Sequence, residues 1–149
     1  HVFGETDAQC AKKCLAATKV QLAFMLCVGE KIEEREAGET EAVVTRQLRE
    51  GLSQTPNLIS VDFMIAYEPV WAIGTGLTAS AADASAIHTL LRSELRDMIG
   101  TRGNEIPILY GGSVNATNAA ALLAAPEVDG LLVGGASVDA ASWLTIAQT

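Results

Sequence analysis

Four short apolar runs constrain this chain most: VQLAFMLCV at residues 20–28, VDFMIAY at 61–67, IPILY at 106–110 and VDGLLV at 128–133. None keeps the strict polar/apolar alternation of a strand with one wet face, so each is expected to be a buried strand of a parallel sheet. Parallel neighbours need a crossover, and the segments between the runs have helical spacing. Ala8, Cys10, Ala11, Cys14, Leu15 and Ala17 predict a leading helix over 6–18, capped by Thr6 or Asp7. Residues 32–51 read as a short charged helix and a longer amphipathic one, divided at Gly38 and capped by Thr40. Ile87, Leu90, Leu91, Leu95 and Met98 predict a long helix over 79–99, and shorter helices are expected around 118–123 and 139–147. One leading helix plus four parallel strand-helix units is an α/β chain, read as a single domain over 1–149. Right-handed crossovers put its helices on one side of the sheet if the sheet curls toward closure.

Three of the four runs end in glycine-bearing loops, at Gly74/Gly76, Gly111/Gly112 and Gly134/Gly135. In parallel α/β folds that is the end where ligands bind. Glu68 follows the second run directly and precedes Pro69, so it is expected at a strand's carboxyl end, partly desolvated by Tyr67, Trp71 and Ile73. Such desolvation strengthens a carboxylate as a general base, although from position alone a solvated or arginine-paired loop carboxylate is the commoner outcome. Gly74-Thr75-Gly76 lacks the third glycine and the immediate helix of a dinucleotide fingerprint, and a mobile lid fits it better. Gly111-Gly112-Ser113 and Gly134-Gly135-Ala136-Ser137 place small residues where main-chain N–H groups could converge on an anion. Each alone is more often a tight turn; two such pairs on successive strand ends, beside an acid, point to a phosphate pocket.

The formal charge of −8 leaves no basic face for a phosphate backbone, so no nucleic-acid partner is expected. No apolar run approaches membrane-spanning length. The opening residues HVFGETD lack a basic-then-apolar leader pattern, which makes the cytoplasm the expected location. Cys10, Cys14 and Cys27 show no metal-ligand spacing and are expected to be buried structural thiols; no metal or cofactor is predicted.

AYEPVWAIGTG at 66–76, with CVGE at 27–30, YGGSV at 110–114 and VDGLLVGGAS at 128–137, resembles the triosephosphate isomerase family, in the family's order and spacing along the whole chain. The resemblance implies a partial (β/α) TIM-type barrel in which Glu68 shuttles a proton between adjacent carbons of a triose phosphate. It implies that Gly74, Ser113, Gly134 and Gly135 hold the substrate phosphate. It further implies a lid over Pro69, Val70, Trp71, Ala72, Ile73, Gly74, Thr75, Gly76, Leu77, Thr78 and Ala79, latched by Tyr110 and Ser113, with Leu132 pressing on Glu68. Cys27 and Glu30 are then supports rather than reactants. Leu77 stands where the family commonly has lysine, a departure expected to tune the hinge only modestly.

In the family, HVFGETD comes just after the fourth strand, so the first four strands, about two-fifths of a barrel of ~250 residues, are expected to be absent. With them go the lysine and histidine that polarise the substrate carbonyl. His1 falls a few residues past that histidine's position, Lys12, Lys13 and Lys19 match surface lysines, and His88 reads as structural. The isolated chain is therefore expected to isomerise weakly or not at all. The alternative is a non-catalytic phosphate-binding half-barrel or an assembly module. Expected partners are triose phosphate or inorganic phosphate, and either a second copy of the chain or an amino-terminal half.

Overall fold

The computed structural model describes residues 4–149, so the expectation for His1 lies outside the described residues. Four strands, β1 (Phe24–Val28), β2 (Phe63–Tyr67), β3 (Ile108–Gly112) and β4 (Gly130–Val133), form one parallel sheet in the order β1-β2-β3-β4. The helices are α1 (Asp7–Lys19), α2 (Ile32–Glu36), α3 (Thr40–Leu52), α4 (Ala81–Ile99), α5 (Ala119–Leu123) and α6 (Ala140–Ala147). Thr6 starts α1 through a capping box with Gln9, and Ser80 does the same for α4 with Asp83.

The core lies between one face of the sheet and the helices. Leu26, Val28, Ile65, Tyr67, Ile108 and Tyr110 point into it and meet Val44, Leu48, Leu91 and Leu95, all buried. The register pairs Met25 with Met64, Cys27 with Ala66, and Ala66 with Leu109, so these residues share the opposite face. Among the described residues no helix covers that face: Met25 and Met64 are 37% and 40% exposed. The sheet thus has the one-sided helix layer of a barrel wall, with its other face open.

Several expectations need correction. Residues 20–23 do not extend β1. Val20 and Gln21 form the turn that ends α1, Gln21 takes φ 56°, and Val20 and Leu22 are exposed. Thr40 is the first residue of α3 rather than its cap, because the chain turns at Gly38 (φ 74°) and passes through Glu39 without a side-chain cap bond. The third strand starts later and ends later than expected. Pro107 has no N–H for the ladder but its carbonyl accepts from Ile65 N at 2.9 Å, while Gly111 and Gly112 still pair with Leu132 and Val133. Of the three cysteines only Cys14 is buried; Cys10 is half-buried, and Cys27 is exposed on the open face.

Candidate active site

Glu68 extends β2 by one residue, its N–H donating to Val28 O at 2.7 Å. Two glycines make room for it. A Cβ on Gly29 would lie 1.8 Å from the Glu68 carbonyl oxygen, and one on Gly111 would lie 2.4 Å from Glu68 Cγ. The half-buried Glu68 side chain therefore lies directly over Gly111, and Gly111 pairs with Leu132, which puts Glu68 and Leu132 in one row at the sheet's carboxyl edge. Gly29 is itself clamped by Gln47, which accepts from Gly29 N at 2.7 Å and donates to Gly29 O at 3.1 Å. Sequence reasoning missed Gln47, since nothing in helix periodicity marks a polar residue that will meet a loop.

Cys27 stands beside Glu68. Although the residue is exposed as a whole, crowding of its thiol and then the neighbouring Glu68 carboxylate push the thiol up to about 12. It stays protonated at neutral pH. Both residues line a cleft of about 670 Å³ whose lining also includes Lys31, Arg46 and Gln47.

The loop from Pro69 to Ala79 leaves Glu68 and returns to α4. Its ends are fastened: Val70 N donates to Glu30 O at 2.9 Å, Ser113 Oγ to Ala72 O at 2.8 Å, and Ala79 N to Tyr110 Oη at 3.2 Å. Between them Ile73, Gly74, Thr75, Gly76, Leu77 and Thr78 are exposed, and Gly74 and Gly76 adopt φ 68° and 79°, where a side chain is strained. Thr75 Oγ1 donates to Trp71 O at 2.9 Å and shapes the tip.

Glu30 is fully buried below the loop's first turn. It accepts from Trp71 Nε1 at 2.9 Å and from Tyr67 Oη at 3.2 and 3.3 Å, and Arg35 is its cationic partner at 3.5 Å. Burial first, then the Glu30 charge, raise the Tyr67 phenol well above its ordinary value. The predicted supporting role of Glu30 had no signal for Arg35, which reads as one charge in a solvated helix.

The four predicted anion-binding residues come from three places at the same sheet edge. Gly74 is at the loop tip, Ser113 follows β3, and Gly134 and Gly135 follow β4, where residues Gly135–Val138 form a 3₁₀ turn. None of the four lines the cleft beside Glu68. Lys12, Lys13 and Lys19 are exposed on α1, Lys13 paired with Glu5. His88 is buried at the back of β2 with Nδ1 3.0 Å from Glu127 O, and burial lowers its basicity.

A family model described as triosephosphate isomerase matches residues 1–149. The triosephosphate isomerase of Moorella thermoacetica is 53% identical over 144 residues, 97% of this chain and 58% of that protein. That of Marinobacter nauticus is 49% identical over 148 residues, 99% of this chain and 58% of that protein. The crystal structure of triosephosphate isomerase from Bartonella henselae superposes with a TM-score of 0.88 at 38% identity, covering 99% of this chain and 59% of that one. The chain thus spans about three-fifths of the length of the relatives it matches.

Proposed function

Because this chain belongs to the triosephosphate isomerase family, we propose that it supplies the general base, the lid and the phosphate grip for interconverting dihydroxyacetone phosphate and glyceraldehyde 3-phosphate. The observation that carries the reading is the seat of Glu68 over Gly111, in one row with Leu132 and at the start of a loop fastened at both ends. From there the carboxylate takes a proton from one carbon and returns it to the next through an enediolate. Neutral N–H donors of Gly74, Ser113, Gly134 and Gly135 hold the phosphate dianion without competing for that proton. A closed lid excludes water, so the enediolate is not lost by elimination of its phosphate. Leu132 keeps the carboxylate dry, and Tyr110 and Ser113 latch the loop.

Inorganic phosphate, added at millimolar concentration to the chain, is expected to shift the backbone amide resonances of Gly74, Ser113, Gly134 and Gly135 together. Shifts confined to other residues would overturn the assignment of the grip.

A second reading, a phosphate-binding or assembly module with little turnover of its own, draws on the open face of the sheet. Met25, Cys27, Met64 and Leu109 lie there, and β1 and β4 are edge strands in the sheet described. Exposed apolar faces and free edges associate. The proposed occupant is an amino-terminal segment covering the remaining two-fifths of the relatives' length or, lacking one, a second copy of the chain. Sedimentation of the chain at micromolar concentration is expected to show a species heavier than 15.6 kDa; a single monomer with cooperative unfolding would refute the association. The cytoplasm remains the proposed location, and among the described residues no helix is long and apolar enough to cross a membrane.

A further inference from the structure

The two ends of the 69–79 loop meet through one side chain that the proposed mechanism does not use. Arg35, on α2, stacks its guanidinium over the Trp71 ring with Cζ 4.7 Å from the centroid. One edge of the same group faces Glu30 at 3.5 Å, and the other faces Asp83 at 3.2 Å. Trp71 and Glu30 hold the start of the loop, through Trp71 Nε1 to Glu30 Oε1 and Val70 N to Glu30 O, both 2.9 Å. Asp83 holds its end. Its carboxylate accepts from Ser80 Oγ at 2.7 Å and from Ser80 N at 3.2 Å, capping α4 one residue beyond Ala79.

We propose that Arg35 is a positioning residue that clasps both ends of the lid, so that the two hinges release together rather than one at a time. The clasp serves catalysis only as far as the lid reading above holds, but its geometry stands independently.

The physical reason lies in Glu30. It is wholly buried, its hydrogen-bond donors are Trp71 and the neutral Tyr67 hydroxyl, and Arg35 is its ion-pair partner. A buried carboxylate that loses a hydrogen-bond donor needs its cation closer. When the indole of Trp71 swings away with the moving loop, Glu30 draws Arg35 inward. The guanidinium then leaves Asp83, whose cap on α4 loosens beside Ala79. Only a planar group can stack on an indole with its face while its edge donors reach two carboxylates; a lysine ammonium offers a point charge and no face.

Amide hydrogen exchange of the chain by NMR tests this without substrate, so failure of phosphate binding and failure of the clasp are separate results. The reporters are the Val70 and Ala79 amides, one at each end, and Ile65 in the core is the reference. Arg35→Gln is expected to accelerate both reporters about tenfold while leaving Ile65 unchanged, the mark of local rather than global opening. Arg35→Lys falls short of rescue at either end. Combined with Tyr110→Phe, which removes the Ala79 contact, Arg35→Gln accelerates exchange by less than the product of the single effects. The proposal is overturned if Val70 responds alone, if Lys restores both amides, if the two substitutions multiply independently, or if Ile65 accelerates in step with a fall in urea-unfolding stability.

Discussion

Glu68→Gln is expected to lower the interconversion of glyceraldehyde 3-phosphate and dihydroxyacetone phosphate by on the order of 10²–10⁴-fold, the range that a positioned general base contributes. The measurement uses the chain combined with the Moorella thermoacetica segment that covers the remaining two-fifths of that relative. Glutamine matches glutamate in size, so it can occupy the same place over Gly111 and keep the N–H bond to Val28 O; what it loses is the capacity to take a proton. Glu68→Asp separates chemistry from position. It keeps the carboxylate but draws it back by one methylene, and a displacement of about 1 Å is expected to cost about 10²-fold. Phosphate binding, which the proposed grip assigns to main-chain donors, is expected to stay near wild type in both variants. Turnover within threefold of wild type for the Gln variant would show that the proton moves through another group and would sink the assignment of Glu68.

The largest effect on stability is expected at Arg92, on α4. Its side chain is only 3% exposed, and each of its three guanidinium nitrogens donates to a segment that follows α4. Nε donates to Glu127 at 3.0 Å, Nη1 to the carbonyls of Gly103 and Ile106 at 2.8 and 2.5 Å, and Nη2 to Asp129 at 2.5 Å. Asp129 in turn accepts from Ile108 N at 2.7 Å, so one cation ties α4 to the entries of β3 and β4. Arg92→Met fills much of the space but strands these acceptors. Breaking a buried pair by removing one partner costs roughly 3–5 kcal/mol, and the low end is expected because Glu127 and Asp129 retain some access to water. The loss appears as a lower urea midpoint at unchanged slope. Adding Asp129→Asn is expected to recover part of it, since no uncompensated carboxylate then remains beside β3. A loss below 1 kcal/mol for Arg92→Met would mean that the network is solvated and contributes little.

What was legible beforehand follows the range of the interactions concerned. The four strands, their order along the chain and the glycine loops after them were readable because apolar periodicity and glycine placement act within a few residues. Glu68 was readable because an acid at the end of a buried run, followed by proline and glycines, is a local pattern. Strand limits were less so. Nothing in VQLAFMLCV distinguishes the turn at Val20 and Gln21 from the strand that begins at Phe24, because residues 20–23 are apolar enough for either and the choice depends on where α1 stops. The helix cap at Thr40 failed for a related reason: threonine suits a cap, but the turn at Gly38 brings the chain into α3 one residue early.

The sequence by itself therefore determined an α/β chain with parallel strands, an acid at one strand's carboxyl end and flexible glycines around it, and it placed them in a family through motifs that are contiguous. Tertiary structure alone decided which polar residues are buried and what they hold. Glu30 meets Trp71 across 41 positions, Arg92 meets Asp129 across 37, and Gln47 clamps Gly29 across 18. A charged residue on a helix has the same local signature whether it faces water or a neighbouring loop. Only the crossing of distant segments removes its solvent, and loss of solvent turns an ordinary surface charge into a buried partner on which a loop or a strand depends.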